Sequence, residues 1–165
     1  MMMPMMKNDD EEAGLFRDPL VRDRRITITL KDIGWTNTDC DSGSNEDWFY
    51  SLGYQRNGGA RVNMLSRTRN DYLDKDTDFD NEVTLAPTAV ELSFTAAYGE
   101  QFSLSGFVAE ADNDVSPTAE GGRFTLPTAN NTVDENLALG TNPLNKTSGP
   151  ICGGSITVYA DSKVE

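Results

Sequence analysis

The sequence predicts an all-β fold, an antiparallel β-sandwich of seven to eight strands. Several short segments alternate apolar and polar residues, most clearly at residues 26–33 and 90–96, and this period of two is typical of a half-buried strand. Gly, Asn, Asp and Pro residues separate the segments, as in the turns of sandwiches and barrels. No stretch keeps a helical apolar period over three turns. Short strands with turns between them favour two packed antiparallel sheets.

The strands are predicted in chain order from these patterns. Residues 26–33 form the first strand, and the aromatic-rich segment 48–54 forms the second. In its alternation Trp48, Tyr50, Leu52 and Tyr54 share one face and Phe49 takes the other. The shared face is predicted to lie in the core, with an aromatic platform for sugar rings or a partner strand as the alternative. An Asn-Gly-Gly turn signal then predicts a hairpin. Further strands are predicted at 60–65, 82–85, 90–96, 101–108, 122–126 and 155–160, with a long loop over about 127–150.

The domain organisation is predicted to be simple. Residues 25–165 are long enough to form one β-sandwich domain, and residues 1–24, rich in Met, Asp, Glu and Arg without periodicity, are predicted to form a flexible N-terminal arm. No apolar run approaches 18 residues, and the N-terminus does not resemble a signal peptide. Three possibilities stay open: export by another route, removal of a leader, or retention inside the cell.

Composition excludes several functional classes. The net charge is −13, and there is no histidine. The negative charge disfavours binding to nucleic acid, and to membranes unless a cation mediates the contact. The lack of histidine excludes Ser-His-Asp and Cys-His catalysis. Paired carboxylates could still cleave a glycosidic bond, but the chain is predicted not to be an enzyme.

Three acidic stretches form the main functional signal: residues 39–47, 74–82 and 110–114. Carboxylates at alternate positions, mixed with Asn, Ser and Gly, offer the oxygen ligands that calcium requires. The first stretch is not an EF-hand loop, because Ser44 and Tyr50 stand where that loop needs Gly and Glu. Solvated acidic loops are the alternative interpretation. The predicted ligands are Asp39, Asp41, Asn45, Asp47, Asp74, Asp76, Asp78, Asp80, Glu110, Asp112 and Asp114.

Residues 26–33 followed by the Asp-rich segment 39–50 resemble the opening of C2-like β-sandwich modules of bacterial surface and secreted proteins, and residues 104–112 are similar to their strand that ends in acidic ligands. The resemblance implies a C2-like sandwich, with a jelly roll as the other topology, and calcium as the bound ion. It also implies which candidates are ligands: Asp39, Asp41, Asp47, Glu110, Asp112 and Asp114. The long loop over 127–150 has no counterpart in this resemblance.

Two functional hypotheses follow. The first is a non-enzymatic calcium-binding module for adhesion, targeting or assembly, secreted or at the cell surface, with a protein or carbohydrate partner. The second is a structural or accessory subunit of a larger extracellular assembly, in which the acidity serves only solubility. Cys40 and Cys152 lie beside the first and last predicted strands. They form either one disulfide, if those strands pair, or two unpaired thiols.

Overall fold

The fold, seen in a computed structural model, is a sandwich of two antiparallel sheets. The structure describes residues 23–41, 44–56, 59–78, 83–84, 90–127, 131–133 and 138–165. Its strands are β1 (Arg24–Thr36), β2 (Glu46–Arg56), β3 (Arg61–Arg67), β4 (Leu73–Lys75), β5 (Val83–Thr84), β6 (Val90–Ala96), β7 (Gln101–Ala111), β8 (Glu120–Thr125), β9 (Asn131–Thr132), β10 (Gly140–Pro143), β11 (Lys146–Thr147) and β12 (Ser155–Val164). This arrangement confirms the predicted fold class.

Each sheet has six strands among the residues that the structure describes. One has the order β10-β12-β1-β5, with β11 beside β12 and β6 beside β1. The other has the order β3-β2-β7-β8, with β4 beside β2 and β9 beside β7. The first strand therefore pairs with the last, and this pairing closes the domain.

The strands differ from the prediction in number and in length, and the short strands β4, β9, β10 and β11 were not predicted. Several extend beyond their predicted ends: β1 runs to Thr36, and β7 runs to Ala111 and so contains Glu110. The segment 127–150 is not one long loop, because β9, β10 and β11 lie within it. These short strands pair at sheet edges, and two to four residues are too few to show a period of two. The predicted N-terminal arm lies outside the described residues, except for Asp23 and for Arg24, which begins β1.

The core lies between the sheets and is built from the alternating apolar residues. Ile26, Ile28 and Leu30 of β1 face it, as do Trp48 and Leu52 of β2, and all of these side chains are buried. Trp35 and Trp48 meet across the sheets with ring centroids 5.3 Å apart. The predicted faces of β2 are confirmed. Phe49, on the outer face, packs against Phe107 in a small separate cluster.

Cys40 and Cys152 form a disulfide across 112 residues of sequence. The pairing of β1 with β12 brings the two cysteines together, since Thr36 lies opposite Ser155 at the end of this ladder. Of the two alternatives left open by the sequence, the structure therefore shows the bridge. Across the described part of the chain, no helix has the length and apolar character needed to span a membrane.

Candidate metal site

Strand ends bring the three acidic stretches to one end of the sandwich. Trp48, near the start of β2, lies opposite Glu110 near the end of β7 and opposite Leu73 of β4. Both β4 and β7 run antiparallel to β2. The end of the first acidic stretch and the starts of the second and third therefore meet beside Trp48. The acidic rim is defined here as Asp39, Asp41, Glu46, Asp47, Asp74, Asp76, Asp78, Glu110, Asp112 and Asp114. Repulsion of Asp47 by Asp74 and Asp114 spans all three stretches.

The first group in the rim, the Glu46 cluster, consists of Asp39, Glu46 and Asp78. Each contributes a carboxylate oxygen, and these oxygens lie within 4.8 Å of one another. Glu46 is fully buried, Asp78 is half-buried and Asp39 is exposed. Beneath them, the Trp48 indole donates a hydrogen bond of 3.2 Å to the Thr77 hydroxyl, so the tryptophan pair of the core supports this part of the rim.

Glu46 holds the first two acidic stretches together. Its Oε2 accepts hydrogen bonds of 3.2 Å from the backbone amides of Cys40 and Asp41. Its Oε1 accepts one of 3.0 Å from the Thr77 amide, and the Thr77 hydroxyl lies 2.9 Å away. A carboxylate offers about four lone-pair positions, so most of those of Glu46 are already used. Glu46 therefore positions the loops, while Asp39 and Asp78 supply the more available oxygens.

The pattern of oxygen-bearing residues at alternate positions did not identify Glu46 as a site residue. It lies out of phase with Asp39, Asp41, Asn45 and Asp47. One sequence signal could have found it. Glu46 lies two residues before Trp48, where the predicted second strand begins, so an extension of that strand by two residues would point both side chains toward the core. A carboxylate that points toward a core needs donors or a cation.

The second group, the Glu110 cluster, consists of Asp41, Glu110 and Asp112. Glu110 is 0% exposed. Its Oε2 accepts a hydrogen bond of 3.3 Å from the Asp47 amide, but its Oε1 has no hydrogen-bond donor in the described part of the chain. A Cβ at Gly121 would overlap this Oε1 atom, so glycine leaves room for it on β8. Asp41 and Asp112 contribute the neighbouring negative charges.

Proton affinities in the rim reflect this crowding. Burial and a hydrogen bond to Asp41 raise the pKa of Glu110 to about 8. A hydrogen bond to Glu46, together with burial, raises the pKa of Asp78 to about 7. Burial also raises the pKa of Asp41 and of Asp47. Protons thus supply part of the positive charge that the clusters lack.

The pKa of Glu46 moves the other way. Burial by itself would raise it, but hydrogen bonds from the Asp78 carboxyl and from the Thr77 and Asp41 amides outweigh burial and lower the pKa. Glu46 therefore stays ionised at neutral pH and keeps its negative charge inside the rim.

The remaining predicted ligands lie at the edge of the rim. Asp47 is half-buried and sits opposite Asp74 in the β2–β4 ladder. The Asp76 carboxylate accepts a hydrogen bond from the Asp78 amide and is otherwise exposed. Asp114 is exposed, but its charge acts on Asp41 and Asp47. Asn45 is exposed, with no hydrogen bond to the rim among the described residues, and Asp80 lies outside them.

The donor set fits a hard divalent cation. Calcium takes six to eight oxygen ligands or so, and the two clusters present five carboxylates besides Glu46. The ion pairs among the residues that the structure describes join Lys and Arg to Asp161, Glu100, Glu120 and Glu165, and none of these is a rim carboxylate. A buried carboxylate oxygen without a donor is costly unless a cation or proton approaches it. The carboxylate oxygens of Asp39, Glu46 and Asp78 lie close enough together to share one ion, and Asp41, Glu110 and Asp112 add negative charge at the same end of the sandwich.

Comparisons with known proteins found similarity at the level of the fold. No family model matches the chain, and no curated protein matches it. A solved structure described as a C2 domain is 12% identical, with 85% of this chain and 98% of that chain covered and a TM-score of 0.40. A C2 domain protein from Ramazzottius varieornatus is also 12% identical, with 87% and 89% covered and a TM-score of 0.37.

Human GIVD cytosolic phospholipase A2 is 14% identical, with a TM-score of 0.42. The match covers 88% of this chain but only 17% of the phospholipase, so the chain spans about a sixth of that enzyme's length. At these TM-scores the similarities add nothing to the site, whose description rests on its own geometry. C2 domains are thus among the solved structures to which this chain is similar.

Proposed function

We propose that this chain is a non-enzymatic β-sandwich module that binds calcium at the acidic rim and uses the bound ion in adhesion, targeting or assembly. The observation that carries the proposal is the convergence of three acidic stretches at one end of the sandwich, where Glu110 is buried and its Oε1 has no donor among the described residues. Cation binding would remove the repulsion between Glu110, Asp41 and Asp112 and would release the protons that the cluster holds.

Calcium titration of chelator-stripped protein tests this proposal. We expect calorimetric heat of binding and a rise in melting temperature at millimolar calcium or below. Glu110→Gln should weaken binding by about 10-fold or more, since even the loss of a group that only orients metal ligands has an effect of this size. Glu91→Gln is the matched control, because Glu91 is exposed on β6. No heat and no thermal shift at millimolar calcium would contradict the proposal.

We also propose that membrane contact, if this module makes it, depends on calcium. Val115 is 74% exposed beside Asp114 in the third acidic stretch. The carboxylates beside Val115 repel an anionic lipid surface and so keep this apolar side chain away from it. A bound cation would remove that repulsion.

Sedimentation with vesicles that contain phosphatidylserine measures this contact. Binding is expected with calcium and not with chelator, and Val115→Ser should reduce it severalfold. Leu139→Ser is the control, because Leu139 is 60% exposed next to Gly140, which pairs with Val164 at the far end of β12. Equal sedimentation of the two variants would remove Val115 from the contact.

The alternative function is a structural or accessory subunit of an extracellular assembly, in which acidity serves solubility alone. The net charge of −13 supports it equally well. It predicts unchanged behaviour when calcium is removed, so the calcium titration separates the two functions. In this alternative the N-terminal arm makes the contacts of the assembly, so deletion of residues 1–24 should abolish assembly. An unchanged sedimentation profile after the deletion would argue against that role of the arm.

A further inference from the structure

The disulfide lies inside the acidic rim. Cys40 stands between Asp39 of the Glu46 cluster and Asp41 of the Glu110 cluster. It is therefore the covalent anchor of the residues that reach both groups of carboxylates. Its partner, Cys152, belongs to the turn that precedes β12.

Beyond Thr36, where the ladder between β1 and β12 ends, noncovalent support differs along the segment. Thr38 is held firmly, because its amide donates to the Thr77 carbonyl at 2.7 Å and its carbonyl accepts from the Thr77 hydroxyl at 2.9 Å. The next three amides make longer bonds. The Asp39 amide donates to the Cys152 carbonyl at 3.2 Å, and the amides of Cys40 and Asp41 donate to Glu46, also at 3.2 Å. These are long for N–H···O bonds, so the bridge is the firmest restraint on residues 39–41.

The bridge also stabilises the turn around Cys152. Ile151 and Gly154 exchange two backbone hydrogen bonds of 2.8 Å, and both residues between them have positive φ, with values of 50° for Cys152 and 83° for Gly153. Such turns favour Asn, Asp or Gly at the first central position. A cysteine there carries a backbone penalty of about 1–2 kcal/mol, and the bridge helps to hold the residue in place.

The bridge also packs beside Glu110. Gly122 lies opposite Glu110 in the β7–β8 ladder. A Cβ at Gly122 would come within 3.1 Å of the Cys152 Sγ and 3.4 Å of the Cys40 Sγ. The neighbouring Gly121 faces the Oε1 atom of Glu110. Movement of the sulfurs would therefore open the side of the rim where Glu110 lacks a donor.

We propose that the Cys40–Cys152 disulfide is a redox-controlled positioning element of the acidic rim, whose reduction weakens cation binding while the sandwich stays folded. The inference rests on the proposed calcium function. In the reaction, a dithiol reductant supplies two electrons and two protons, the S–S bond breaks, two thiols form and the reductant becomes a cyclic disulfide. Both sulfur-bearing residues are half-buried, so a small dithiol has access to them.

The fold is expected to survive reduction. The β1–β12 ladder pairs ten residues of each strand, and the aromatic and aliphatic core between the sheets does not depend on the bridge. Reduction should lower stability against unfolding, because the closed loop of 112 residues restrains the unfolded chain. This effect is separate from cation affinity, so the two are measured separately.

Calcium titrations of three proteins test the proposal: the oxidised chain, the chain reduced with dithiothreitol, and the Cys40→Ser/Cys152→Ser double variant. Circular dichroism selects a temperature at which all three are folded. Affinity should fall by about 10-fold or more in the last two, and dithiothreitol should not affect the double variant. Equal affinity in folded oxidised and reduced protein would overturn the proposal.

A second measurement uses the natural sequence alone and does not require the variant to fold. By thermodynamic reciprocity, calcium must oppose reduction by the same factor by which reduction weakens calcium binding. The equilibrium of the disulfide with a dithiol buffer is measured with and without calcium. An unchanged equilibrium, with calcium bound to the oxidised chain, overturns this inference only. Lack of calcium binding by the oxidised chain overturns the proposed function and this inference together.

Discussion

At the scale of single residues, Glu46 and Glu110 show how environment gives the same side chain two roles. Both are fully buried. Glu46 accepts hydrogen bonds from three backbone amides, and the pKa of its carboxyl is lowered. Glu110 accepts one amide and keeps one oxygen without a donor, and its pKa is raised. The first carboxylate is a structural acceptor, and the second is open to a ligand.

Matched Glu→Gln substitutions should therefore affect cation-free stability differently. Glu46→Gln puts an amide donor where backbone amides need an acceptor, which should lower the free energy of unfolding by about 1–3 kcal/mol. Glu110 is mostly protonated at neutral pH, since its pKa is about 8; Glu110→Gln replaces it with a neutral amide of the same shape that can donate to Asp41, so stability should stay level. Urea unfolding in chelator at neutral pH measures both, with Glu91→Gln as the reference. Equal destabilisation at positions 46 and 110 would refute this difference in role.

At the scale of elements, β8 connects the disulfide with the rim through its two adjacent glycines. Gly121 leaves room for the Glu110 carboxylate, and Gly122 leaves room for Ile151 and both sulfurs. A strand normally loses stability through interior glycines. Here the lack of side chains allows a close approach of the bridge and a buried carboxylate.

Gly122→Ala should lower the free energy of unfolding by about 1–3 kcal/mol, as overpacking does. Its Cβ would lie 2.8 Å from the Cγ2 of Ile151 and 3.1 Å from the Cys152 Sγ. Gly149→Ala is the control, because a Cβ at Gly149 meets nothing within 4 Å. Denaturant unfolding of the oxidised proteins gives the comparison. If the two alanine variants are equally stable, β8 does not pack against the bridge as described.

At the scale of the whole molecule, charge and pH control the stability of the cation-free protein. The chain carries a net charge of −13, and its rim concentrates carboxylates at one end. Self-repulsion of this kind destabilises the compact state. Protons relieve it at low pH, and a divalent cation would relieve it at neutral pH.

The cation-free protein should therefore lose stability as pH rises from about 5.5 to 8.5. Glu110 and Asp78 bind protons more tightly in the folded chain, with pKa values of about 8 and 7. Their stabilising contribution is complete below the ordinary carboxyl pKa and disappears as pH rises through these values. Glu46 acts in the opposite sense, but its lowered pKa matters only in acid, as pH falls below its ordinary value.

Thermal melts in chelator across this range measure the effect. After allowance for solvent screening, we expect the melting temperature to fall by about 2–4 °C or more across this range. A shift of this size corresponds to about 1 kcal/mol for a domain of this length. Saturating calcium should remove most of the fall. A melting temperature that stays level or rises with pH in chelator would show that the rim carboxyls do not hold protons as described.

Much of the fold was predictable from local pattern. Alternation in 26–33 and 48–54 identified strands and their core faces, because the period of two is a local property of the chain. The short strands β9, β10 and β11 were not predictable, since they exist through pairing at sheet edges. The acidic stretches were recognisable from composition, but Glu46 was not, because its role depends on amides from two other segments.

The sequence by itself determined an acidic, histidine-free β-sandwich with three oxygen-rich stretches. Only the tertiary structure decided that these stretches meet at one end, that Cys40 and Cys152 are bonded, and that Glu110 is buried without a full set of donors. The physical reason is range. Side-chain alternation and charge are set by neighbours in sequence, whereas convergence and burial arise from strand pairings between distant parts of the chain.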